Sequence, residues 1–112
     1  MRGTQGVDAR GGGPVVVYAV AGALDLHAAA QFTEGITRAL GGGPAGIDVD
    51  LSKLDSIDSV GFSVFVTAHY QCIDAGVHLR FLHPSPLVTR LLRSSGLDQI
   101  LHVEDAGALV SA

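Results

Sequence analysis

Residues 47–62, IDVDLSKLDSIDSVGF, contain the change of pattern that decides the fold class. The first five residues alternate between apolar and acidic side chains, which is typical of a β-strand. Residues 52–58 are more polar and are interpreted as a connection. A helix is predicted from Ser59 or Val60 to about Ala75, and Gly76 ends it as the C′ residue. A strand that leads into a helix indicates an α/β unit.

The same alternation of strands and helices extends in both directions from this stretch. Strands are predicted at 15–20, 47–51, 77–82 and 100–103, and helices at 26–40, 59–75 and 86–95, with a weak terminal helix around Leu109. Asp25 and Ser85 are expected to be N-caps, with Pro86 at the first helical position. Gly22 is expected to end its strand. The order (β)-β-α-β-α-β-α-β predicts an α/β domain with a mixed, largely parallel sheet of four to five strands packed with three to four helices.

Apolar spacing predicts which faces are buried. Residues 15–20 are almost continuously apolar, which indicates a strand buried on both faces. The first helix carries a predicted buried stripe of Leu26, Ala29, Phe32 or Thr33, Ile36 and Leu40. Gly35 in that helix is expected to cost about 1 kcal/mol relative to alanine. The second helix has two apolar rows, Val64, Phe65, Ala68 and Cys72 beside Phe62, Val66 and Ile73, so cover from two sides is expected.

The chain begins with a segment unlike the rest. Residues 1–13 end in three consecutive glycines, which maximise backbone entropy. They are therefore interpreted as a flexible lead or a weak edge strand that contributes little to stability, and the domain proper is assigned to 14–112.

Composition excludes several classes of protein. The 112 residues fit one domain, and 47% hydrophobic and 16% charged residues suffice for a packed core. A net charge of −4 argues against direct nucleic-acid binding and against attraction to an anionic membrane. The longest apolar run is too short for a membrane span, and no signal-peptide pattern precedes it, so the cytoplasm is the expected location.

No cofactor or metal is expected. Cys72 is the single cysteine, so an intramolecular disulfide and a CxxC metal site are excluded, and a packed, unreactive thiol is predicted. The five histidines lack the spacing of a zinc site. The chain has neither a G-x-S-x-G elbow nor a P-loop, and no histidine is identifiable that would orient Ser59 as a nucleophile. An enzyme is therefore not expected.

Ser59 is the strongest candidate for a functional residue. It starts a helix just beyond the carboxyl end of a strand, where open α/β sheets place their functional sites. The free N–H groups and positive dipole end of that helix can accommodate a phosphate. Gly61 is expected to leave the first turn uncovered, so that the backbone of another protein can approach closely. The alternative from the residues alone is that Asp58 or Ser59 is only an N-cap.

Five segments, in order, resemble the STAS domain, specifically bacterial anti-sigma factor antagonists, over roughly residues 15–110. These are Gly22–Asp25, Val49–Ser52, Ile57–Phe62, Gly76–Leu79, and Pro84–Val88 with Leu91, Leu92 and Ser95–Leu97. Two positions depart from the family pattern. The first strand would have to lie within 1–13, and Asp48 stands where the family carries an apolar residue, which suggests an exposed strand face.

The resemblance implies a function and a site. It implies that Ser59 is phosphorylated by a partner kinase that is also the anti-sigma factor, and that the unphosphorylated chain binds this partner and frees the sigma factor. A phosphatase is a further candidate partner. The implied partner-binding residues are Asp25, Asp55, Ser56, Asp58, Ser59, Val60, Gly61 and Phe62. The alternative function is a STAS subunit of another complex, in lipid transport or stress signalling, with Ser59 only a helix cap.

Overall fold

The computed structural model describes residues 3–7 and 13–104. Within them the strands are β1 Gly3–Val7, β2 Pro14–Leu24, β3 Gly46–Ile57, β4 His78–Leu82 and β5 Val103–Glu104. The helices are α1 Leu26–Gly41, α2 Ser59–Ala75 and α3 Pro86–Ser94, followed by a 3₁₀ turn at Leu97–Gln99. The terminal helix predicted around Leu109 lies outside the described residues.

The strands form a single sheet in the order β1-β2-β3-β4-β5. β1 runs antiparallel to β2, and the other three pairings are parallel. The helices occupy the connections between consecutive parallel strands. This confirms the predicted α/β class with a mixed, largely parallel sheet.

The edge strand β1 pairs with the first half of β2, from Gly3 opposite Tyr18 to Val7 opposite Pro14. The structure therefore places a strand inside the segment 1–13. The small contribution of this segment to stability remains a prediction.

β2 and β3 are longer than predicted. Gly22, with φ +76°, lies inside β2 and does not end it. Residues 52–57 are not a connection, because they continue β3 up to the pair Leu24 and Ile57. At each of two register shifts β3 has one more residue than β2, and these extra residues interrupt the alternation from which a strand is recognised.

Aromatic side chains from three elements form the centre of the core. Phe32 of α1, Phe65 of α2 and Phe81 of β4 are fully buried, with ring centroids 5.2 and 4.6 Å apart. Tyr18 of β2 meets Phe32 edge-on at 5.9 Å. Such pairs stabilise a core by about 0.5–1.5 kcal/mol each beyond the area they bury. The two long helices are thereby packed on one face of the sheet.

Several side chains predicted to be buried are exposed. Leu26 is 73% exposed, because α1 begins beyond the carboxyl end of β2 and its buried stripe starts only at Ala29. Val17 is 37% exposed, so β2 is not buried on both faces. In the second apolar row of α2, Phe62 is half-buried and Ile73 is 57% exposed. Phe62 and Val66 of this row pack against the core whereas Ile73 does not, so the expected cover on a second side of α2 is confirmed only in part.

The carboxyl-terminal part of the described chain also differs from expectation. The last strand comprises only Val103–Glu104, and Ile100, predicted to lie in it, is exposed after the 3₁₀ turn. The predicted cap of α3 is confirmed, since the Ser85 hydroxyl accepts a hydrogen bond from the Val88 N–H at 3.2 Å and Pro86 is the first helical residue. Leu87 of this helix is exposed.

Asp48 is buried, and its interpretation as part of an exposed strand face is wrong. Only 6% of the residue is exposed, and both carboxylate oxygens accept hydrogen bonds from Arg80 of β4, at 2.9 Å from Nε and 2.8 Å from Nη2. Arg80 Nη1 lies 3.3 Å from Glu104 of β5. The hydrogen bonds to Asp48 raise the pKa of the Arg80 guanidinium above its ordinary value. One arginine thus links three neighbouring strands.

Cys72 has the buried position that the sequence predicts. It lies on the inner side of α2, and 1% of the residue is exposed. Desolvation by the surrounding core raises the pKa of its thiol to about 11. The thiol is therefore protonated at neutral pH.

We expect Gly35→Ala to destabilise the protein, although glycine-to-alanine changes in helices usually stabilise by about 1 kcal/mol. A Cβ atom at Gly35 would overlap the ring of Tyr18. That ring is held against Phe32, and its hydroxyl donates to the Gln31 carbonyl at 3.2 Å. Overpacking of this kind costs about 1–3 kcal/mol, measurable as a lower urea midpoint.

Gly41→Ala is the matched control for this prediction. A Cβ atom at Gly41, in the last turn of the same helix, would meet nothing within 4 Å. We expect the control to be neutral or up to about 1 kcal/mol more stable than the wild type. Equal gains for both variants would show that Tyr18 does not require the glycine.

Candidate functional site

The carboxyl ends of β2 and β3 lie side by side. Leu24 and Ile57, the last residues of the two strands, are register partners, and each is followed by an aspartate that precedes a helix. Asp25 and Asp58 therefore occupy equivalent positions on neighbouring strands. As a result α1 and α2 begin next to each other at the carboxyl-terminal edge of the sheet, where these parallel strands end.

Both aspartates are N-caps. The Asp25 carboxylate accepts a hydrogen bond from the Ala28 N–H at 2.9 Å, which confirms its predicted capping role. The Asp58 carboxylate accepts from the Gly61 N–H at 3.1 Å, and the Asp58 carbonyl accepts from Phe62 N–H at 3.0 Å. Each helix start is thus fixed by a side chain that also brings a negative charge to the positive dipole end.

Ser59 is the first residue of α2, and it is exposed. Because the cap is Asp58, the alternative that Ser59 itself caps the helix is wrong. The capping bonds of Asp58 go to Gly61 and Phe62, so the helix supplies no acceptor for the N–H groups of Ser59 and Val60. These two donors and the dipole end are the groups that can interact with a phosphate on the Ser59 hydroxyl.

Gly61 faces the interior, and the expectation that it leaves the outer side of the first turn open is wrong. A Cβ atom there would lie 2.6 Å from Ile57 Cγ1 and 2.9 Å from Leu24 Cδ2. These two side chains belong to the paired strand ends and are buried. The glycine is therefore needed for close packing of α2 on the sheet, and it sets the position of Ser59 relative to the strands.

The structure brings the other predicted residues to the same edge of the sheet. Asp55 and Ser56 are exposed near the end of β3. Asp25, Asp58 and Ser59 are exposed just beyond the strand ends. Val60 and Phe62 are half-buried in the first turn of α2. Contact of these residues with a partner remains a prediction.

One exposed apolar residue of this edge was assigned to the core by sequence reasoning. Leu26 is the first residue of α1 and directly follows the cap Asp25. Its helical spacing matches that of the buried stripe, so periodicity alone places it inside. The structure shows that β2 ends at Leu24, so the sheet does not extend beneath Leu26. The edge therefore combines three carboxylates with an apolar side chain.

We expect Asp25→Ala to lower the free energy of unfolding by about 1 kcal/mol, because the Ala28 N–H loses its acceptor. Asp74→Ala is the control, since this exposed aspartate lies in the last turn of α2 and caps nothing there. Urea unfolding of both variants measures the difference. Unchanged stability of Asp25→Ala together with lost partner binding would assign Asp25 to the interface instead.

Among residues 3–7 and 13–104, no three histidine, cysteine or acidic side chains are grouped so that they could hold a metal ion. Within the same part of the chain, none of the helices has the length and hydropathy needed to cross a membrane.

Comparison with known proteins identifies the fold. Residues 6–108 match the STAS domain family. No curated protein matches the chain. Among solved structures, the anti-sigma factor antagonist SpoIIAA in its unphosphorylated form is 22% identical, with a TM-score of 0.71 over 97% of this chain and 93% of that one.

Two further solved structures show the same likeness. An anti-sigma factor antagonist from Mycobacterium paratuberculosis is 20% identical, with a TM-score of 0.75 over 98% of this chain and 92% of that one. The Bacillus cell fate determinant SpoIIAA in its phosphorylated form is 22% identical, with a TM-score of 0.63 over 98% and 97%. At these identities the likeness shows the fold.

Proposed function

Because this chain belongs to the STAS domain family, we propose that it is an anti-sigma factor antagonist controlled by phosphorylation of Ser59. In this proposal the unmodified chain binds an anti-sigma factor with serine kinase activity. Phosphorylation of Ser59 by that kinase releases the chain, and a phosphatase reverses the modification. The chain acts in the cytoplasm by binding, without a catalytic step of its own and without direct contact to nucleic acid.

The position of Ser59 carries the proposal. Its hydroxyl is exposed at the start of α2, while the neighbouring Asp58 performs the capping. A kinase can therefore reach the hydroxyl without unfolding the helix, and no capping bond is lost when the hydroxyl is modified.

The surroundings support a protein partner as the ligand. Exposed residues from the ends of β2 and β3 and the starts of both helices form one continuous edge, which suits a protein surface better than a small substrate. The carboxylates of Asp25, Asp55 and Asp58 favour a partner with a basic surface. The solved structures of SpoIIAA in unphosphorylated and phosphorylated forms show that a relative of this fold exists in both states.

The test begins with affinity capture of the native protein and mass spectrometry of what it retains. The captured kinase is then given ATP and one of three chains: the wild type, Ser59→Ala or Ser63→Ala. Ser63 is the matched control, because it is also exposed and lies one turn further along α2. We expect the wild type and Ser63→Ala to be labelled and Ser59→Ala to remain unlabelled.

Two results would contradict the proposal. Labelling of Ser59→Ala would move the modification to another residue, with Ser56 and Ser63 the next to examine. Capture of a complex that contains no kinase, with no labelling of any chain, would favour the alternative of a STAS subunit in another assembly.

A further inference from the structure

The outer surface of α2 differs in composition from those of the other two helices. Between Ser59 and Ile73 the sequence has no lysine, arginine, aspartate or glutamate, and Asp74 is the only residue of these types in α2. The other two helices carry exposed residues of these types, namely Glu34, Arg38, Arg90 and Arg93. Helices at a protein surface normally direct charged side chains to water. The outer surface of α2 is therefore unusual for a helix face that only water covers.

Apolar side chains lie on this surface instead. Phe62, Val66, Tyr70 and Ile73 are three or four residues apart, so they form one line along the helix, the α2 stripe. Tyr70 is 54% and Ile73 57% exposed, while Phe62 and Val66 are half-buried against the core. Depletion of charged residues together with exposed aromatic side chains is the composition that distinguishes the centre of a protein interface.

The α2 stripe is continuous with Ser59. This serine comes three residues before Phe62 and seven before Val66, and both spacings return to the same side of a helix. At 1.5 Å per residue, the distance from Ser59 along α2 to Ile73 is about 20 Å. A protein that binds this side of α2 at Ser59 is thus in position to cover the stripe as well.

We infer that the α2 stripe is the apolar anchor of the interface with the anti-sigma factor kinase, an inference that rests on the proposed function. The kinase surface has an apolar groove that takes up Tyr70 and Ile73, and cations that face Asp55 and Asp58 beside the start of α2. Grooves of this kind recognise a helix by apolar side chains at such spacings. Phosphorylation of Ser59 then places its charge where the apolar contact begins.

A second copy of this chain fits the α2 stripe less well than the kinase does. Each copy has a net charge of −4, and Asp55 and Asp58 lie at the start of the same helix, so two copies repel each other. Self-association through the stripe would also cover the side of α2 that carries Ser59. The Ser59 residue is exposed, as access by a kinase requires.

The test is a calorimetric titration of Tyr70→Ser and Ile73→Ser against the captured kinase. Truncation of a central aromatic or apolar contact weakens an interface strongly, so each variant is expected to bind about tenfold or more weakly than the wild type. Both variants should keep a urea midpoint close to that of the wild type, because the two residues are exposed. At saturating concentrations both should still be labelled at Ser59, since the hydroxyl is unchanged.

Leu87→Ser is the matched control, because Leu87 is also an exposed apolar residue, 44% exposed, but belongs to α3. We expect it to bind the kinase as the wild type does. Wild-type affinity of both α2 variants, with Ser59 labelled, would overturn this inference and leave the proposed function intact. A captured complex without a kinase would overturn both. A wild-type dimer in sedimentation that Ile73→Ser converts to a monomer would assign the stripe to a second copy instead.

Discussion

Phosphorylated at Ser59, the chain is expected to bind the partner of its proposed function about 30-fold to several thousand-fold more weakly than the unmodified chain. The phosphate adds about −1.5 to −2 charges at neutral pH. Asp25, Asp55 and Asp58 already make this edge acidic, and docking would remove water from the new dianion. A mispaired charge at an interface costs about 2–5 kcal/mol, and each 1.4 kcal/mol is tenfold in affinity.

The fold is expected to survive this modification. The phosphate is added at the positive end of the α2 dipole, beside the N–H groups of Ser59 and Val60. The Asp58 cap on Gly61 is unchanged. The unfolding midpoint of the phosphorylated chain should therefore stay close to that of the wild type, and the loss of binding should be local.

Calorimetric titration of variants against the captured partner measures the effect. Ser59→Ala should bind constitutively, and Ser59→Glu should bind more weakly, although one carboxylate carries less charge than a phosphate. Ser63→Glu is the control, because it adds the same carboxylate one turn further along α2. Equal binding by wild type, Ser59→Ala and Ser59→Glu would show that Ser59 is not the switch.

Arg80→Met is expected to lower the free energy of unfolding by about 3–5 kcal/mol. It removes both hydrogen bonds that Arg80 donates to the buried Asp48 carboxylate, and the loss of one partner from a buried ion pair is strongly destabilising. The ion pair between Arg80 and Glu104 of the short strand β5 is lost at the same time. The free energy of unfolding of such domains is about 5–15 kcal/mol, so the expected loss is a large fraction of it. Urea unfolding gives the value.

Two further variants test whether the loss of stability comes from the ion pair between Arg80 and Asp48. Arg80→Met combined with Asp48→Leu removes both partners, and we expect it to regain most of the lost stability, because an apolar pair needs no compensation. Arg90→Met is the control, since Arg90 is exposed on α3 and its loss should change stability by less than about 0.5 kcal/mol. An Arg80→Met variant as stable as this control would show that the Asp48 carboxylate is not held by Arg80 in solution.

The features that could be predicted from the sequence are those encoded by neighbouring residues. The caps Asp25 and Ser85, the C′ glycine Gly76 and the order of strands and helices all follow from patterns a few residues long. The position of Ser59 at the start of α2 is of the same kind. Local hydrogen bonds determine these features, so short patterns suffice to predict them.

The features that could not be predicted depend on residues distant in sequence. Asp48 is buried because Arg80, 32 residues later, satisfies its carboxylate. From the sequence, Gly35 is predicted to destabilise α1 and Gly61 to leave the first turn of α2 uncovered. Neither prediction includes the side chains that pack against these glycines, because those side chains come from other elements. Residues 52–57 were missed as a strand because two register shifts break their alternation. In each case the deciding contact is tertiary.

The buried thiol of Cys72 is an intrinsic probe of how often α2 opens. It is the only thiol, it lies on the helix that Ser59 begins, and with a pKa of about 11 only about one molecule in a thousand carries the thiolate at pH 8. A thiol-reactive reagent can therefore attack only when α2 separates from the core. The alkylation rate thus reports how often this helix opens, without any engineered label. Equal rates before and after phosphorylation would show that the signal passes to the partner as surface charge, with no loosening of the helix that carries it.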